Sequence, residues 1–64
     1  MNREFLESLI GKSIDEARSI CIDSNISFRV VREDETNYIV TMDLRSDRIN
    51  VEIDNGIITN VNVG

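Results

Sequence analysis

Arg48-Ile49-Asn50-Val51-Glu52-Ile53-Asp54-Asn55-Gly56-Ile57-Ile58-Thr59-Asn60-Val61-Asn62-Val63 reads as two strands joined by a tight turn. Apolar β-branched residues recur with a period of two, which sets Ile49, Val51 and Ile53 on one inward face. Asn55-Gly56 is the favoured dipeptide of a type I′ hairpin turn, and Ile57 to Val63 forms the returning strand. Upstream, Ser27 to Arg32 is a first strand with Phe28 and Val30 on one face. Glu33-Asp34-Glu35-Thr36-Asn37 is a polar break, and Tyr38 to Leu44 alternates only weakly.

The pattern is helical before Ile26. Phe5, Leu6, Leu9 and Ile10 make a short amphipathic turn of helix over residues 4 to 10, ended by Gly11. Ser13-Ile14-Asp15-Glu16 has the form of a capping box. Ile14, Ala17, Ile20 and Cys21 then lay one apolar stripe along a helix from about 13 to 24. Asn25 suits a left-handed position at its C-terminus. The simplest architecture is α+β: one helix packed on a small sheet, in a single domain spanning 1 to 64.

With 64 residues, of which 41% are hydrophobic and 30% charged, the chain lies near the lower limit for a self-sufficient core. A lone Cys21 rules out an intrachain disulfide, and the lack of His sets aside a structural zinc site. Good packing or homo-oligomerisation must stabilise the fold. The net charge of −5 argues against a long nucleic acid as partner. A small anionic ligand remains open, because Arg29, Arg32, Arg45 and Arg48 cluster in the middle of the chain. The first residues, Met1-Asn2-Arg3-Glu4-Phe5-Leu6-Glu7, interrupt their apolar positions with acids and resemble neither a signal peptide nor a membrane span. Taken as written, the chain reads as cytosolic, and a free Cys21 fits that compartment.

Gly11-Lys12-Ser13 is a helix start and not a phosphate loop, since the glycine required five residues earlier is Leu6. Asn25-Ile26-Ser27 is read as cap and turn and not as a glycosylation site. Glu33-Asp34-Glu35 lacks calcium-loop spacing. No His is available as a general base, Cys21 lies on an apolar helix face, and no Ser sits in a nucleophile turn. The residues therefore point to a binding protein without catalytic residues, cofactor or metal.

Ile39-Val40-Thr41-Met42-Asp43-Leu44-Arg45-Ser46-Asp47-Arg48-Ile49 carries the functional signal. Arg45 and Arg48 stand three apart around a Ser-Asp turn. In one reading Tyr38–Leu44 and Arg48–Asp54 form a hairpin with both guanidinium groups in water. In the other, 38 to 48 is an exposed loop whose backbone the arginines brace, a task suited to the planar guanidinium fork. Spacing alone leaves both open.

Leu9-Ile10-Gly11-Lys12-Ser13-Ile14-Asp15-Glu16-Ala17-Arg18, the Val40–Ile49 segment, Val51-Glu52-Ile53-Asp54 followed by Asn55-Gly56-Ile57-Ile58, and Val61-Asn62-Val63-Gly64 together resemble the potato inhibitor I family. They resemble even more closely a related group of small bacterial peptidase inhibitors. The resemblance runs in order over roughly residues 9 to 64 and implies a helix on a small mixed β-sheet with a reactive loop between two strands. The loop of such inhibitors enters a chymotrypsin- or subtilisin-like serine protease as a substrate does and is cut slowly. The resemblance implies Met42–Asp43 as the reactive bond and Thr41, Met42, Asp43, Leu44 and Arg45 as the loop. It implies that Arg45 and Arg48 reach back to Thr41 and Asp43. The plant type has a further supporting arginine where this chain has Asn50; the bacterial group shares the Asn.

A different class of function is also compatible with the sequence. An oligomeric cytosolic protein of the phage-encoded sponge kind would sequester a small anionic ligand, such as a cyclic nucleotide signal. Arg45 and Arg48, with Arg29 or Arg32, would pair with phosphates at a subunit interface, and Tyr38 or Phe28 would stack on a base. A partner-binding accessory domain is the plainest alternative.

Overall fold

The computed structural model describes residues 1 to 64. The elements follow in the order α1 (Arg3–Leu9), α2 (Ile14–Asp23), β1 (Ser27–Glu33), β2 (Thr36–Asn37), β3 (Arg48–Asp54) and β4 (Ile57–Val63). One mixed sheet holds the strands in the order β2-β1-β3-β4, with β1 parallel to β3 and the other neighbours antiparallel. The class is α+β, with two helices where the sequence suggested one. Segment 4 to 10 closes into a true short helix because Asn2 caps it, its Oδ1 accepting from the Phe5 amide at 2.8 Å.

The start of α2 lies where its side chains place it. The Ser13 hydroxyl accepts from the Glu16 amide at 3.3 Å and donates to the Glu16 carboxylate at 3.1 Å. Glu16 thus meets the Ser13 hydroxyl, where a full capping box would have it meet the backbone N–H. At the other end Asn25 takes φ 56°, and its amide donates to Ile22 O at 3.1 Å. The Ile26 amide donates to Cys21 O at 2.8 Å, which completes a Schellman closure.

Leu9, Ala17 and Cys21 from the helices meet Ile49, Val51 and Ile53 of β3 and Ile58 of β4, and all seven are fully buried. Burial of these side chains against one face of the sheet is the main favourable term for folding. The opposite face of β3 carries Arg48, Asn50, Glu52 and Asp54. Two β-bulges keep the neighbouring strands in phase with it. Strict alternation from Phe28 and Val30 would send Arg32 to the helix face; the irregularity between Val30 and Arg32 places Arg32 opposite Glu52 instead. On β4 the shift at Thr59 lets Ile58 face inward beside Ile53 while Asn60 pairs with Glu52.

The polar face is consequently a cross-strand network. Arg32 donates to Glu52 at 2.9 Å and, through both terminal nitrogens, to the Asp54 carboxylate at 2.9 Å. Asn60 donates to Glu52, and the Thr59 hydroxyl donates to Asp54 at 2.7 Å. These donors, Arg32 first, hold the Glu52 and Asp54 carboxyls below their usual range.

The hairpin reading of Tyr38–Leu44 with Arg48–Asp54 is overturned. Residues 38 to 47 contain no strand, and β3 pairs with β1 and β4. Parallel β1 and β3 oblige the chain to return from the end of β1 to the start of β3 before pairing can begin. The polar break also needs correction: Glu33 belongs to β1, Thr36–Asn37 forms β2, and Asp34 with φ 54° makes the turn between them. No helix is long and apolar enough to cross a membrane.

Candidate binding loop

The return segment from 38 to 47 is pinned at both ends by the backbone. The Tyr38 amide donates to Val31 O at 3.0 Å, and Asp47 O accepts from the Ser27 amide at 2.8 Å. Between these points the side chains divide into two sets. Met42 is 92% exposed, Leu44 90%, and Ile39 wholly so. Thr41 and Asp43, on either side of Met42, are tied to side chains of the sheet's polar face.

Arg29 is held at its base by Asn50, whose Oδ1 accepts from Nε at 2.7 Å, and extends Nη1 to the Thr41 hydroxyl at 3.3 Å. The Thr41 hydroxyl is the first influence that holds the Asp43 carboxyl below the usual range. The Asp43 amide and the charges of Arg48 and Arg29 act in the same direction. Arg48, 8% exposed, donates Nη2 to Asp43 O at 2.6 Å and Nη1 to Asp43 Oδ2 at 3.5 Å. Its Nε and Nη2 also reach Gly64 O, at 3.2 and 2.6 Å. The same Gly64 oxygen accepts from the Arg45 amide at 3.2 Å. Two sets of hydrogen bonds therefore flank Met42: Asn50, Arg29 and Thr41 on one side, and Asp43, Arg48 and Gly64 on the other.

This arrangement corrects the bracing expected from the resemblance. Arg45 does not reach Thr41; its guanidinium forms a two-pronged pair with Asp47 at 3.0 and 2.9 Å. The carboxylate two residues away outcompetes a more distant hydroxyl, and Asp47 is held below its usual range chiefly by this pair. Arg29 takes the place that Arg45 was expected to fill, and Asn50 steadies it. The sequence marks Arg29 only as a ligand-pairing residue, Asn50 only as the place of a supporting arginine in the plant type, and Gly64 by no site role. Inward Phe28 and Val30 imply an outward Arg29, but its pairing with Asn50 depends on a parallel register that no local pattern encodes. Gly64 belongs to the site by packing: a Cβ there would lie 3.0 Å from Asn50 Nδ2 and 3.9 Å from Leu44 Cδ2.

Arg29 and Arg48 both act on Asp43, but Arg32 and Arg45 are engaged elsewhere, so the four arginines do not meet at one anion site. Arg32 is engaged with Glu52, Asp54 and the Asp34 carbonyl, at the end of the sheet where β1 turns. The Tyr38 hydroxyl donates to Glu33 at 3.0 Å, and that carboxylate pushes the phenol pKa up. Phe28 lies under the Arg18 guanidinium, 5.5 Å from its ring centre. Compared with known proteins, the sequence matches no family model and no characterised protein at a significant level.

Proposed function

We propose that this protein is a serine peptidase inhibitor of the substrate-like loop type, with a potato inhibitor I-like fold and Met42–Asp43 as its reactive bond. The observation that carries the reading is the contrast at Met42. Its side chain is 92% exposed while both neighbours are fastened to the sheet. An unbranched apolar side chain presented this way fits the hydrophobic primary pocket of a chymotrypsin- or subtilisin-like enzyme. Leu44 and Ile39 offer further apolar contacts on either side of the bond.

Bracing converts such a segment from substrate into inhibitor. A flexible peptide loses about 0.5–1.5 kcal/mol for each side chain immobilised on binding, a cost largely met here before encounter. After cleavage, Arg48 would still hold Asp43 and Arg29 would still hold Thr41. The new amine would then stay beside the acyl group and religation would compete with release. Arg45 serves the base of the loop through Asp47.

Anion sequestration has less support, because Arg32, Arg45 and Arg48 are each paired with carboxylates or carbonyls of their own chain. The test is an inhibition titration against a panel of chymotrypsin- and subtilisin-like peptidases. Met42→Gly should weaken inhibition roughly 10–100-fold, the equivalent of losing a buried methionine side chain. Its urea midpoint should match that of the parent. A parent chain that leaves every enzyme of the panel active at micromolar concentration overturns the proposal.

A further inference from the structure

We propose that Met42 is an oxidation site at which a hydroperoxide switches the loop off. The inference rests on the reading of Met42 as the residue that enters the primary pocket. The chain holds three sulfur atoms, and their surroundings differ sharply. Cys21 is fully buried in the core, Met1 is 47% exposed, and Met42 is 92% exposed. Burial also pushes the Cys21 thiol pKa up, away from the reactive thiolate. Thioether oxidation needs only access, so Met42 is the sulfur a small oxidant meets first.

The reaction is a two-electron oxygen transfer. A sulfur lone pair attacks one peroxide oxygen, the S–O bond forms as the O–O bond breaks, and the departing alkoxide or hydroxide leaves as alcohol or water after protonation. Sulfur is oxidised to the sulfoxide and the peroxide is reduced. No other group of the chain is consumed.

The consequence follows from how the loop is held. Arg29 holds Thr41 and Arg48 holds Asp43, and none of the hydrogen bonds that fix the loop involves Met42. Oxidation therefore leaves the loop conformation intact and changes only what is offered to the enzyme. A sulfoxide dipole entering an apolar pocket loses its water without a compensating donor. Binding falls while folding does not.

The experiment treats the full chain with dilute hydrogen peroxide and follows two readouts together. Residue-resolved mass spectrometry measures sulfoxide at Met42 and Met1, and titration against an inhibited peptidase measures potency. Parent, Met1→Leu and Met42→Leu chains are compared. Met42 should oxidise before Met1, with an inhibition constant rising roughly 10–100-fold in step with Met42 sulfoxide. Met1→Leu should behave as the parent, and Met42→Leu should keep its starting potency through the treatment. Methionine sulfoxide reductase should restore the oxidised parent, and the thermal midpoint should not move. Preferential oxidation of Met1, or a Met42 sulfoxide as potent as the thioether, overturns the switch. Lack of inhibition by the untreated parent shows before any oxidant is added; it overturns the inhibitor reading and the switch with it.

Discussion

Thr41 and Asp43 turn toward the sheet and are held by Arg29 and Arg48, and Met42 between them faces outward. Arg29, Arg48 and Arg45 differ in what they hold. Arg29→Ala frees Thr41 and should weaken inhibition roughly 3–10-fold, the loss of about one pre-ordered side chain. Cleavage at Met42–Asp43, followed by mass spectrometry, should quicken in the same variant. Arg48→Ala leaves two backbone oxygens without their charged donor and should lower stability by about 2 kcal/mol in urea unfolding. Arg45→Ala removes only a half-exposed pair with Asp47, and its urea midpoint should stay with the parent.

The same division explains which elements could be read from the chain. β3, its turn and β4 were legible because alternation and the Asn55-Gly56 dipeptide agree, and both residues take positive φ, 54° and 77°. Gly56→Ala should accordingly cost about 1–2 kcal/mol, measured as a shift in the unfolding midpoint. Helix α2 was legible through Ser13 and Asn25, and Ser13→Ala should cost about 1 kcal/mol in the same assay. Helix α1 is less legible because a seven-residue helix has little periodicity to show, and its Asn2 cap lies outside the apolar pattern. The exchange of Arg45 for Arg29 was illegible for a physical reason. Side chains that meet across β1 and β3 are fixed by register and by a bulge, neither of which leaves a local trace. Only the parallel pairing of β1 and β3 decides between strand and loop for residues 38 to 47.

Across the fold, Asp43, Asp47, Glu52 and Asp54 all lie below their ordinary range through hydrogen bonds from Thr41, Arg45 and Arg32. Unfolded, such groups titrate near 3.8 for aspartate and 4.5 for glutamate. The unfolded chain therefore takes up protons first on acidification. The stabilisation these carboxylates provide is complete above that range and disappears as pH falls through their folded values. Urea midpoints should be level from about pH 7 to pH 5 and fall steadily below about pH 4.5. Asp43 belongs to both the loop and this set, so bracing and stability should weaken together in acid. The sharpest examination of the braced loop is to incubate the chain with a sensitive peptidase and determine by intact mass where it is cut. A braced loop should give one slow cut, between Met42 and Asp43, with the nicked halves remaining associated and still inhibitory. Rapid cutting at several bonds within 38 to 47, with activity lost as the fragments separate, would contradict it.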